Sequence, residues 1–170
     1  MDKVLIFGYG NFDRQDDGVA WHVLAGVAKR LGREVPASPD EEFPPSTDSP
    51  DFQFELQLTP ELAETVAQYD RVCFVDAHTG AVPNEVNVEH LTTEFQSSPF
   101  THHMTASTLL SFAATLYDAR PPAILVSVRG YEFGFERALS ERTASLAEEA
   151  ADRITAWVRG EDADFADGTD

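Results

Sequence analysis

Two aspartates, Asp16 and Asp17, follow a glycine turn in "FGYGNFDRQDDGVAWHV" (residues 7–23) and stand at the mouth of a predicted helix. A nucleotide-binding turn at that place offers helix N-terminal amides to an anionic phosphate. Here the third glycine of a G-x-G-x-x-G pattern is replaced by Asp13, and no G-K-[ST] follows. Asp16 suits a helix cap, because an acid near a helix N-terminus satisfies free amides and favours the macrodipole. One cap needs one acid, which leaves Asp17 for ligand work. Asp76 closes the apolar run "RVCFVD" (71–76), where an acid serves as a turn former or as a ligand. His78, two residues on, reads as a second ligand or as loop surface. His102 and His103 open a further predicted helix; adjacent helical side chains diverge, so at most one of them points into a given site. Two carboxylates and one imidazole suit a borderline divalent ion such as zinc or nickel. Cys73, in the middle of its apolar run, reads as core rather than nucleophile. No G-x-S-x-G elbow supports a Ser-His-Asp hydrolase.

The elements that must position these residues follow from periodicity. Lys3–Phe7 is a short apolar run ending at glycine, the pattern of a buried parallel strand. Residues 17–31 carry Ala20, Leu24, Val27, Ala28 and Leu31 at helical spacing, and Gly32 ends them. Residues 33–50, rich in Pro, Ser and acid, read as a surface loop. A strand is expected at 51–57, then a helix at 59–69 with Thr59 as N-cap and Pro60 at its first position. Strands are expected at 71–76 and 123–128, with an edge strand at 85–91. A helix over 101–117 turns Leu109, Phe112, Ala113 and Leu116 inward. Ser140 caps a last helix with Leu146, Ala150, Ile154, Trp157 and Val158 on one face. Alternating strands and helices predict an α/β three-layer sandwich: a twisted, mostly parallel sheet of about five strands flanked by helices. Ligands bind beyond the carboxyl ends of such strands. The turn at 8–17, the segment 76–78 and the loop into His102 are all expected on that rim.

Residues 1–160 read as one domain, and the tail "EDADFADGTD" (161–170) as disordered. No run of 18 apolar residues and no signal peptide is visible, and one cysteine fits a reducing cytoplasm. Thirty acids against twelve bases give a net charge of −18, which argues against nucleic acid or an anionic membrane as partner. Lys3 and Lys29 are the lysines. So acid-rich and lysine-poor a surface serves solubility, and it also suits a high-salt cytoplasm.

Three blocks of this sequence resemble the nickel–iron hydrogenase maturation endopeptidases: "VLIFGYGNFDRQDDGVAWHV", "VCFVDAHTG" and "THHMTASTLLSF". They come in the family's order across residues 3–158, with a poor match through 33–50. Carried over by position, the resemblance implies Asp17, Asp76 and His102 as metal ligands; the metal then either polarises the scissile carbonyl or activates water, or it only positions the substrate, with Asp16 or Asp17 as general base. The expected metal is nickel brought by the substrate, and zinc or another divalent ion can take the same donors in vitro. The implied partner is a hydrogenase large-subunit precursor whose C-terminal extension is removed, and the enzyme is expected to act as a monomer. One departure is the stretch "LQLTPEL", where many members carry Asp-Gly-Gly-Thr; this chain looks closer to the branch serving soluble, cofactor-linked hydrogenases. Two rivals stand beside this reading. One is a nickel-checking or precursor-binding module without catalysis. The other is a nucleoside- or nucleotide-type enzyme, for which Arg14 is the only base in the first loop.

Overall fold

The computed structural model describes residues 2–93 and 104–161. Strand β1 (Val4–Tyr9) leads through a 3-10 turn (Gln15–Gly18) into α1 (Val19–Arg30). Then come β2 (Asp51–Glu55), α2 (Leu62–Val66), β3 (Arg71–His78), β4 (Val86–His90), α3 (Ala106–Tyr117), β5 (Ala123–Arg129) and α4 (Glu141–Val158). The strands form one sheet in the order β2-β1-β3-β5-β4, parallel except for the antiparallel edge strand β4. The expected mostly parallel α/β sheet is therefore present. No helix among the described residues is long and apolar enough to cross a membrane.

Strand alternation divides the core. Ile6, Cys73, Val75 and Val126 turn toward α1 and α4, where Leu24, Val27, Ala150 and Ile154 meet them. Leu5, Phe7, Val72 and Phe74 turn the other way, onto Leu109, Leu110 and Ala113 of α3 and Val66 of α2. Both faces of β1 and β3 are thus buried, which is why they read as unbroken apolar runs. The chain leaves β1 toward β2 on one side and returns to β3 on the other. The carboxyl ends of β1 and β3 therefore flank a crevice where the strand order reverses, the general ligand position of open α/β sheets.

Several local expectations change. The helix expected at 59–69 shrinks to Leu62–Val66, with Glu61 at its N-cap and no side-chain cap. The reason is visible at its start: the amides of Leu62 and Ala63 bond back to the carbonyls of Thr59 and Pro60, three residues earlier, so this turn is 3-10 rather than α. The helix after the histidines begins at Ala106, where the Thr105 side chain accepts from the Thr108 amide at 3.1 Å. Its buried stripe ends at Ala113; Leu116 in the last turn is exposed. Ser140 does cap α4, accepting from the Thr143 amide. Cys73 is fully buried, and burial pushes its thiol far above the reactive range.

Candidate active site

Beyond the Gly8–Val75 pair of the ladder, Tyr9 and Asp76 come side by side at the carboxyl edge. The chain then turns at Gly10, which has φ +149°. A Cβ there would lie 2.2 Å from the Asp17 carbonyl oxygen, so the close return of the 3-10 turn onto β1 requires glycine. This return carries Asp17 back over the strand end. Its Oδ2 accepts the Asn11 amide at 2.9 Å. Tyr9, Asn11, Asp17 and Asp76 line one cleft of about 720 Å³, closed on the α3 side by Met104 and Thr105. The sequence-predicted pair Asp17 and Asp76 is therefore brought together.

The electrostatics of the pair are unbalanced. Burial pushes the Asp76 carboxyl up to about 7; the Asp17 charge adds to this, while the Ala77 amide and the Tyr9 hydroxyl oppose it. Burial, then the Asp76 charge, holds the Tyr9 phenol well above its usual range, so it remains a donor. A cation held between the two carboxylates would remove the penalty on Asp76, and oxygen donors of this kind fit a divalent ion. Among the described residues no cluster of three metal-binding side chains occurs. His102, expected as the third donor, and His103 lie outside the described residues.

The raised Asp76 pKa has a consequence for stability. A native-state carboxyl that holds its proton more tightly than in the unfolded chain favours folding in its neutral form. Stability from this group is present at acid pH and declines as pH rises from the ordinary carboxylate range to about 7. Melting temperature followed across that range should fall more steeply in wild type than in Asp76→Asn, in which this group no longer titrates. Parallel profiles would contradict the shift.

Asp16 stands apart. It is 0% exposed and does not line the cleft. Its carboxylate accepts the amides of Tyr131, Glu132 and Ser140, each at 2.9 Å. It also accepts the hydroxyls of Ser140 at 2.6 Å and Thr143 at 2.9 Å. Burial pushes its pKa up, but the bonds from the Ser140 side chain and the three amides prevail and lower it. The expected cap is absent: neither Arg14 before the 3-10 turn nor Gly18 before α1 makes a side-chain cap, and Asp16 ties down the β5–α4 connection instead. His78 is likewise structural. Its Nδ1 accepts the Gly80 amide at 3.0 Å and Nε2 donates to the Asn84 carbonyl at 2.9 Å, closing the loop after β3. Arg14 donates through Nε and Nη2 to the Phe133 carbonyl at 3.2 and 2.8 Å and stacks on Phe135. Its charge is thus committed away from any phosphate in the turn.

Tyr9 and Thr105 are among the cleft residues that the sequence did not single out. Tyr9 sits in register with Phe7 on the α3 face, and its period-2 position was the available signal. Thr105 carried only a cap signal.

No protein-family model and no curated protein sequence matches the chain. Solved structures do match. The [NiFe] hydrogenase maturation protease HycI from Thermococcus kodakarensis KOD1 superposes with a TM-score of 0.60 at 19% identity, over 93% of each chain. The hydrogenase maturating endopeptidase HybD from E. coli gives 0.60 at 17%, again over 93% of each. A hydrogenase 2 maturation peptidase from Thaumarchaeota archaeon SCGC_AB-539-E09 gives 0.57 at 18%, over 94% of this chain and 99% of that one. The chain has the fold of these proteins.

Proposed function

We propose that the protein is an endopeptidase that removes the C-terminal extension of a nickel-loaded hydrogenase large-subunit precursor. The observation that carries this reading is the pairing of Asp17 and Asp76 in one cleft at the reversal of strand order, in the fold of hydrogenase maturation proteases. In this reading nickel is part of the substrate. Asp17 and Asp76, with His102 as third donor, complete its coordination, and docking of the metal brings the scissile carbonyl over the cleft. Asp17 then takes a proton from attacking water. Asp16, enclosed by its five donors, takes the positioning role rather than the basic one. The protein works in the cytoplasm as a monomer, and zinc or another divalent ion takes the same donors in vitro.

The test is to mix purified protein with precursor, with and without nickel, and to follow loss of the extension by mass. The loaded precursor is expected to be trimmed and the metal-free one to stay intact. Inhibitors of serine and cysteine proteases should have no effect, since the one cysteine is buried and no serine elbow exists. Equal trimming of both precursors removes the nickel requirement. Failure to trim several loaded precursors points instead to a precursor-binding module on the same fold.

A further inference from the structure

In a chain with 30 acids and 12 bases, a guanidinium without an acceptor is conspicuous. Among the described residues, Arg30, Arg71, Arg120, Arg137 and Arg142 pair with carboxylates, and Arg14 and Arg33 donate to main-chain carbonyls. Arg129 does neither, and its Nε is buried with no partner. Glu85 feels the Arg129 charge, but its oxygens are already held by Arg142 at 2.6 and 2.9 Å and by the Tyr131 hydroxyl. Leaving so polar a group unsatisfied costs free energy unless something else completes it.

The group is nevertheless held in place. Its guanidinium lies over the Tyr131 ring at 4.8 Å. Behind it is Gly80, at φ +106°, where a Cβ would come within 2.6 Å of Nη1. The Gly80 backbone is fixed in turn by its bond to His78. Strand register locates this cradle relative to the cleft. In the β3–β5 ladder Asp76 pairs with Ser127 and His78 with Arg129, and the pleat turns all four to the α3 face. Arg129 therefore stands two residues, about 7 Å along the strand, beyond the level of Asp76.

We propose that Arg129 is a carboxylate receptor on the rim of the cleft, taking an acidic group of the peptide bound for cleavage. This rests on the peptidase reading above. A planar guanidinium matches a planar carboxylate with paired hydrogen bonds. One arginine without a second base or an amide nest suits a monoanion better than a phosphate dianion. The receptor also answers an electrostatic difficulty: Asp17 and Asp76 repel an acidic peptide, and Arg129 supplies the opposite charge where its carboxylate lies. That carboxylate belongs either to an acidic side chain or to the end of the peptide chain.

The 15N-labelled full chain tests this at low ionic strength, where the contact is least screened. The Arg129 Nε–H resonance is identified by its loss in Arg129→Gln. It is followed during titration with N-acetylglycine, with N-acetylaspartate N-methylamide, and with the neutral asparagine counterpart of the latter. The signal should move with one or both acids and not with the neutral compound. Response to N-acetylglycine alone assigns a chain terminus, and response to the aspartate compound assigns a side chain. No movement with either acid, equal movement with the neutral compound, or stronger displacement by inorganic phosphate overturns the receptor. In the cleavage assay, Arg129→Gln should raise KM by about tenfold or more, the loss expected for a charge-assisted contact, and Arg120→Gln should not. An unchanged KM also overturns it. If no precursor is trimmed while the Arg129 signal still answers to carboxylates, the peptidase reading fails and the receptor stands.

Discussion

Asp17→Asn should abolish trimming while leaving the fold intact. The asparagine carbonyl oxygen can still accept the Asn11 amide that Asp17 Oδ2 accepts at 2.9 Å, so the turn keeps its bond. The side chain is only partly buried and of nearly the same size, so stability should change by no more than about 0.5 kcal/mol. What disappears is the charge. An amide is a poor ligand for a divalent ion and cannot take a proton from water, and loss of such a group typically costs about 10²–10⁴-fold in rate. An internal readout accompanies the kinetics. Because the Asp17 charge helps to raise the Asp76 pKa toward 7, the substitution should let that value fall. Carbon-detected titration of the Asp76 carboxyl measures it. Retained trimming at a near-normal rate would remove Asp17 from the chemistry.

The neighbouring substitution, Asp16→Ala, should act first on stability. A simple helix cap is worth about 0.5–2 kcal/mol. Here three amides and two hydroxyls lose their common acceptor in the interior. The expected loss is about 3 kcal/mol or more, since each buried unsatisfied group costs about 1–3 kcal/mol. For a chain of this size each kcal/mol lowers Tm by about 2–4 °C, so the expected fall is about 6–12 °C. The pH dependence has its own sign. The native pKa of Asp16 is lowered, so its contribution is full above the ordinary carboxylate range and is lost as pH falls through the native value. Wild type should therefore lose more stability than Asp16→Ala on acidification. A fall in Tm no larger than a lost cap produces would refute the hub.

The sequence-based reading succeeded where one local rule governs a position. β1, β3 and β5 are legible because burial on both faces leaves "VLIF", "VCFV" and "AILVSV" almost without polar residues. Ser140 is legible because capping depends on the few residues after it. The pairing of Asp17 with Asp76 could be anticipated because carboxyl ends of parallel strands share a rim. Asp16 could not be read correctly in the same way, since its five donors lie 115–127 residues away. Nor could Arg129, whose isolation depends on Glu85 already being held by Arg142. The helix at 59–69 was over-read because a favourable Thr-Pro start says nothing about whether the turn after it is α or 3-10.

The hub at Asp16 bears on how the protein is made. Residues 4–30 leave the ribosome before residues 131–143 and include both acids of the turn, whereas the donors that lock Asp16 belong to the later segment. A nascent chain halted before β5 thus has Asp17 in its sequence without the geometry that holds it over β1. The cleft is then assembled only when residues 131–143 close on residues 4–30. Such closure is slow relative to local helix formation, because a long loop must be ordered before its contacts form. The order of synthesis itself keeps the cleft unassembled until the segment after β5 has been made.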